Sequence, residues 1–288
     1  MPQESPLPFW IRALNRTGLI RHLNLQTQVQ AGGRTFRTPV TGGVGIGLGR
    51  DAEPWLLDAL RVGLALRQGV FVDIGVNLGQ TLLKFVALRE GTRPYVGFEP
   101  NPSSFVYAEQ LVRANALEGV TLVPVGLSEH DAVLTLQLGS DHDPAASLVA
   151  GFRADEEYRG RRYVSVFAGA PLLDALAVDR VGVVKVDVEG AEVDVLSGLE
   201  PRLALDRPLI FCEVLPTYEE ATERGQMRRG RTDRLEALLH RLDYRVFRLH
   251  HDGRAEPLDT IVTHGDLDLS DYAFVPADLA TTFTAHFR

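Results

Sequence analysis

The chain holds one cysteine among its 288 residues, which excludes a disulfide framework and the small secreted scaffolds that depend on one. Cys212 lies in the apolar run Leu209-Ile210-Phe211-Cys212 and reads as a small buried hydrophobe. Long apolar runs are missing as well: none approaches the roughly 20 residues that a helix needs to cross a bilayer. A signal-peptide pattern is not visible either, so the expectation is a cytoplasmic protein without a membrane span. Basic charge is in deficit. The net charge of −8 argues against nucleic acid as a partner, because neutralising phosphates takes clustered Lys and Arg. The densest basic stretch, with five arginines between Arg224 and Arg234, reads as a solvated loop and helix start. The glycine-rich stretch Gly42–Gly49 imitates a phosphate loop but lacks the Gly-Lys-Ser/Thr ending and a following helix pattern, so it reads as a flexible or strand-edge connector.

What is present is alternation. Apolar runs recur at the spacing of β-α units, and they predict strands at Val70–Ile74, Tyr95–Glu99, Val120–Pro124, Val181–Val186, Leu209–Val214 and Tyr244–Leu249. Several are continuously rather than alternately apolar, which implies strands covered on both faces and hence a mostly parallel sheet in an α/β fold. The length suits one large domain with additions. Residues 1–54 read as a leader, with an amphipathic helix around Phe9–Leu23 that could support a homodimer, followed by the connector. Residues 55–288 form the domain itself, opening on an amphipathic helix over Trp55–Leu66. An insertion at about 131–169 carries two β-rich pieces, Val133–Leu138 and Tyr163–Phe167, and reads as a substrate-side flap.

The first strand ends on Asp73 and passes into the turn Gly75-Val76-Asn77-Leu78-Gly79 and a helix opening with Gln80 and Thr81. Glycines there let a ligand approach the backbone, and the first amides of the helix face the same cleft. The second strand ends on Glu99, placed to accept hydrogen bonds from a ribose diol, and Asn101 follows between two prolines. A nicotinamide cofactor would fit the strand spacing, but the turn is D-x-G-x-N-x-G-Q and not G-x-G-x-x-G. Its acidity and modest glycine content favour S-adenosylmethionine, whose methionine end carries cationic groups and no phosphate. The third strand exits through Gly126-Leu127-Ser128, where the adenine would lie: Gly126 admits the ring, Leu127 packs on it and Ser128 meets its edge.

The fourth run, Val183 to Glu192, again ends on carboxylates. Asp187 and Glu189 stand at the strand's carboxyl end, and Glu213 ends the fifth strand at the same edge of the sheet. Asp187 is the candidate general base or positioning acceptor for an attacking hydroxyl. The alternative is that Asp187, Glu189 and Glu213 gather Mg²⁺. Glu192 reads as a helix cap, Lys185 as a strand residue whose amine snorkels or pairs with a carboxylate, and Glu213 meets either substrate or an arginine. His250 is a weaker catalytic candidate in an exposed loop.

The ordered motifs VDIGVNLGQT, GFEPNP, VPVGLSE and VKVDVEGAEVDVLSG resemble the FkbM family of S-adenosylmethionine-dependent O-methyltransferases over roughly Trp55 to Pro216. The resemblance implies a Rossmann-like methyltransferase fold and methyl transfer to a hydroxyl of a sugar, glycosylated or polyketide-type small molecule. Val76 stands where the family usually has alanine, a change of bulk but of no polar contact. Two other functions stay open at this point: a nicotinamide-dependent oxidoreductase, which lacks a Tyr-x-x-x-Lys pair at a suitable place, and a non-catalytic binding module on the same fold.

Overall fold

Strand β3 (Val70–Ile74) shows why the sheet is parallel: its side chains alternate between two separate cores, Val72 and Ile74 entering one and Phe71 the other. The computed structural model describes residues 16–287 except 18, 43, 50–52, 90, 140–145 and 153–158. Most of the expected leader helix Phe9–Leu23 lies outside the described residues; within it, Leu19–His22 forms a single 3₁₀ turn.

Strands β1 (Asn24–Ala31) and β2 (Arg34–Thr41) form an antiparallel hairpin ahead of helix α1 (Pro54–Leu66) and β3. Then come α2 (Gln80–Leu88), β4 (Tyr95–Phe98), α3 (Pro102–Ala114) and β5 (Val120–Val123). A side sheet follows, made of β6 (Gly126–Ser128), β7 (Ala132–Leu138) and β8 (Gly160–Ala168). The chain returns through α4 (Gly169–Ala175), β9 (Val181–Val186), α5 (Glu192–Gly198), α6 (Glu200–Asp206) and β10 (Leu209–Glu213). It ends with α7 (Glu223–Arg241), β11 (Tyr244–Leu249), β12 (Ala255–Leu258), β13 (Asp271–Pro276) and α8 (Ala280–Thr284).

The main sheet runs β12-β11-β13-β10-β9-β3-β4-β5. Strands β10, β9, β3, β4 and β5 are parallel, and β13 lies antiparallel between β10 and β11. Connections run outward from β3 in one direction and from β9 in the other, so the strand order reverses between them. Open α/β sheets bind ligands in the crevice at that switch point. The fold is Rossmann-like α/β, with helices packed on both faces of the sheet.

Three features differ from the sequence-based expectation. Strand β13 belongs to no β-α unit: the chain reaches it through a polar loop and pairs it antiparallel, so the spacing argument passed over the apolar run Tyr272-Ala273-Phe274-Val275. The leader contains the β1–β2 hairpin, whose inner face places Val29, Ala31 and Phe36 in the same core as α2 and α3. Polar Gln, Thr and Arg between those residues hid a regular period-two pattern. The arginine-rich stretch opens a helix, as expected, but it is not a solvated loop throughout, since Arg228 is buried and Arg229 and Arg231 are half-buried. It lies in α7 and anchors that helix: Arg228 donates to the Pro216 and Phe152 carbonyls, Arg229 pairs with Asp233 and Glu236, and Arg231 with Asp194. Cys212 is buried, as expected, and no helix among the described residues is long and apolar enough to cross a membrane.

Candidate functional site

Alternation along the strands builds the site. The face that buries Phe71, Val183 and Phe211 in the core carries, two residues further on, Asp73, Lys185 and Glu213. Register sets Asp73 beside Lys185 and Glu213 opposite Asp271. A row of ionisable groups therefore crosses four neighbouring strands at the carboxyl edge of the sheet.

Lys185 Nζ donates to Asp187 Oδ2 at 2.8 Å. Burial works against charge on Asp187, but the ammonium of Lys185 and hydrogen bonds from Lys185 and Glu213 outweigh it and hold Asp187 below the usual carboxylate range. Glu213 moves the other way: burial, then the negative charges of Asp187 and Glu189, push it up to about 10. At neutral pH the pair therefore shares one proton, with the Glu213 carboxyl donating to the Asp187 carboxylate. Among the described residues no arginine pairs with Glu213; its partner is Asp187. Asp73 is fully buried, accepts from the Tyr95 hydroxyl through Oδ2, and is raised to about 6 by burial against the pull of Lys185 and that hydrogen bond.

Asp187, Glu189 and Glu213 each offer an oxygen within 4.8 Å of the others, a spacing that could hold a divalent cation. The ammonium of Lys185 and the shared proton already supply the positive charge and occupy the facing lone pairs. A cation here would have to compete with the Lys185 ammonium for Asp187 Oδ2, and we assign no metal ligands.

A cleft opens on one side of Asp187. Gly75, Asn77, Glu99, Gly126, Leu127, Asp187 and Glu189 line it. Glu99 is held from behind: the Asn77 amide donates to its Oε2 at 2.7 Å and the Asn101 amide to its Oε1 at 2.8 Å. Burial raises this carboxyl to about 7 in spite of those bonds. Asn77 is in the left-handed region at φ 48°, and its side-chain Oδ1 is buried without a partner. A buried acceptor carboxylate and an orphaned amide oxygen in one cleft fit a nucleoside cofactor bearing a ribose diol and cationic groups.

The remaining residues of the expected cofactor set lie outside the lining. Gly79 serves packing, since a Cβ there would stand 2.7 Å from the Leu111 side chain. Gln80 and Thr81 open α2, and Thr81 is buried. Asn101 caps α3 by accepting from the Ser103 amide, so its bearing on the cleft runs through Glu99. Ser128 sits on β6 with its carbonyl against Gly198. Glu192 is a cap, accepting from the Gly190 amide. The insertion, expected as a substrate-side flap, lines the Glu99 cleft through Leu136 on β7 with Ala146 and Leu148, and Ser147 donates to the Glu189 carbonyl at 2.7 Å.

A second, narrower pocket lies across Asp187, between Trp55 of α1, Glu213, Lys185 and Asp271. His251 stacks on Trp55, with centroids 5.0 Å apart and planes 7° from parallel, and its Nε2 is 2.9 Å from Asp271 Oδ2. His250 instead pairs with Glu256 at 2.9 Å. Of the two adjacent histidines, His251 faces the site, and the sequence reading missed it together with Asp271 and the Trp55 ring. An extended count from Leu249 would have shown that the two rings diverge, but not which one meets the site.

An open parallel sheet with a switch-point cleft and acidic strand ends is the architecture of the Rossmann-like methyltransferases. The Methyltransferase FkbM domain family matches residues 73–246, more than half of the chain, and the chain belongs to that family. A search of curated proteins finds no match. Among solved structures, a methyltransferase FkbM from Methylobacillus flagellatus KT is 15% identical at a TM-score of 0.44, over 72% of this chain and 43% of that one. This chain thus spans less than half the length of that relative. Fibrillarin from Aeropyrum pernix, in complex with S-adenosyl-L-methionine, is 10% identical at a TM-score of 0.40, over 86% of this chain and 81% of that one. An O-methyltransferase from Thermotoga maritima is 12% identical at 0.38, over 86% and 76%.

Proposed function

We propose that this chain binds S-adenosylmethionine in the cleft beside Glu99 and transfers its methyl group to a hydroxyl of a small molecule such as a sugar, a glycosylated compound or a polyketide. The observation that carries this reading is that Asp187 forms the wall between the two cavities. A donor on the Glu99 side and an acceptor on the Trp55 side would meet at one carboxylate. The cofactor supplies an electrophilic methyl on a sulfonium. The chain's own residues do the rest: Glu99 accepts from the ribose hydroxyls, and Lys185 keeps Asp187 ionised so that it can orient the acceptor hydroxyl and take its proton. Orientation in line with the methyl supplies much of the rate.

Calorimetric titration with S-adenosylmethionine and, separately, NADH tests the cofactor; tight binding of NADH alone would overturn the reading. For the chemistry, Asp187→Asn keeps shape but loses basicity, so turnover to S-adenosylhomocysteine with an accepted alcohol should fall by roughly 10² to 10⁴ while cofactor affinity is retained. Chelator should leave the wild type unaffected, because Lys185 and the shared proton stand where a cation would. Loss of activity on chelation would return the three carboxylates to a metal role.

A further inference from the structure

Methyl transfer to a hydroxyl releases a proton into a site walled by protein, and Asp187 is poorly suited to keep it, with the Lys185 ammonium at 2.8 Å. From Asp187 a line of proton carriers leads outward. A carboxyl oxygen of Glu213 lies within 4.8 Å of one of Asp187, and the two are joined through a side-chain hydrogen bond. Directly across the antiparallel register from Glu213 stands Asp271, and both line the cavity under Trp55. Side chains opposite one another on a sheet face have Cβ atoms roughly 5 Å apart, where two like charges destabilise the pair unless a proton is held between them. Asp271 in turn meets His251 at 2.9 Å, and the His251 side chain is 41% exposed. Trp55 fixes the imidazole plane by stacking.

We infer that Glu213, Asp271 and His251 form the route by which the proton taken up at Asp187 reaches solvent. The inference rests on the proposed methyl transfer. As the O–CH₃ bond forms, the S–CH₃ pair stays on sulfur and the hydroxyl proton passes to Asp187. Glu213 hands its own proton to Asp271 and receives the one on Asp187. Asp271 passes its proton to His251, which releases it to water, so each carrier ends as it began. The other ionisable groups facing this line are Lys185 and Asp73 on the sheet, Glu53 before α1, Glu189 after β9 and the Cys212 thiol. Lys185 is committed to Asp187. Asp73 is sealed from solvent, and Glu189 lines the other cavity.

The test uses the full chain and two variants, His251→Phe, which keeps a ring on Trp55, and Asp271→Asn, which keeps shape. Rates of S-adenosylhomocysteine formation are measured with a simple polyol acceptor at low buffer and with increasing imidazole. His251→Phe should lose about tenfold at low buffer, part of what a general acid or base contributes, and regain rate with imidazole, whereas the wild type ignores it. Asp271→Asn should lose rate without rescue. Infrared spectra supply a readout independent of turnover: at pH 8 the wild type should show the carbonyl stretch of a protonated buried carboxyl, absent in Glu213→Gln. A wild type without that band, or a His251→Phe rate equal to wild type and indifferent to imidazole, overturns the route. Calorimetry separates the two failures: a chain that does not bind S-adenosylmethionine removes the parent reading and the route with it, whereas binding with a buffer-indifferent variant removes the route alone.

Discussion

Glu99 shows how a single residue is prepared for a ligand before the ligand arrives. Two backbone amides fix its carboxylate plane, which leaves only the outward lone pairs for ribose hydroxyls. Glu99→Ala should weaken S-adenosylmethionine by about 1.5 to 3 kcal/mol in calorimetry, the scale of charge-assisted bonds to a ligand; an unchanged dissociation constant in a folded variant removes Glu99 from that role. Because its pKa lies near 7, the same affinity should weaken as pH falls from 8 to 6, when the acceptor becomes protonated. Gly75 constrains the site differently. It sits at φ 89°, and a Cβ would stand 1.9 Å from the Asp187 carbonyl. Gly75→Ala should cost about 2 kcal/mol or more in denaturant unfolding, from overpacking plus a left-handed backbone.

Between elements, Arg202 is the tie that sets where β9 begins. Its guanidinium reaches Asp206 on the same helix at 3.0 Å, Asp174 of α4 at 3.0 Å, and the carbonyls of Val178 and Asp179 at 2.9 Å. Asp206 also accepts from the Val181 amide, the first residue of β9. Lys185 stands four residues along that strand and Asp187 just past its end, so the position of the proposed base is anchored at the far end of its strand. Arg202→Ala leaves Asp206 buried and unpaired and should destabilise the fold by about 3 to 5 kcal/mol. Removing both partners, Arg202→Ala with Asp206→Ala, should recover part of that loss in the same urea titration; a double variant worse than the sum would show that the carbonyl contacts dominate.

For the whole molecule the buried acids set the response to pH. Asp73 and Asp271 are raised to about 6, Glu99 and Glu192 to about 7, each chiefly by burial. A carboxyl whose folded pKa is raised binds more protons folded than unfolded, so it costs stability as pH climbs from its ordinary value through its folded one. For these four the window runs from about 3.8, the ordinary aspartate value, to about 7, and Glu213, pushed up to about 10, extends it to higher pH. Asp187, held below its ordinary value, acts only at more acidic pH. The ligand-free protein should therefore melt higher at pH 6 than at pH 8, and Glu192→Gln should flatten that slope. A melting temperature that rises across this interval would contradict the assignment of these carboxyls as buried burdens.

Local pattern alone determined much of this protein. The runs Val70–Ile74, Val181–Val186 and Tyr244–Leu249 are strands with those bounds; in the first two the reason is that a strand buried on both faces must be apolar at nearly every position. Each acidic group that ends a run, Glu99, Asp187 and Glu213, was visible as the point where apolarity stops. Tertiary structure decided who meets whom. Strand β13 enters beside β10 by antiparallel pairing across 58 positions, Glu213 to Asp271, and no local pattern encodes that partner. The same holds for the hairpin β1–β2 closing one core, the insertion lining the Glu99 cleft, and His251 rather than His250 turning toward Trp55. Burial writes itself into the sequence residue by residue, whereas a shared proton or a stacked ring depends on two segments brought together by the fold, and neither segment carries the other's address.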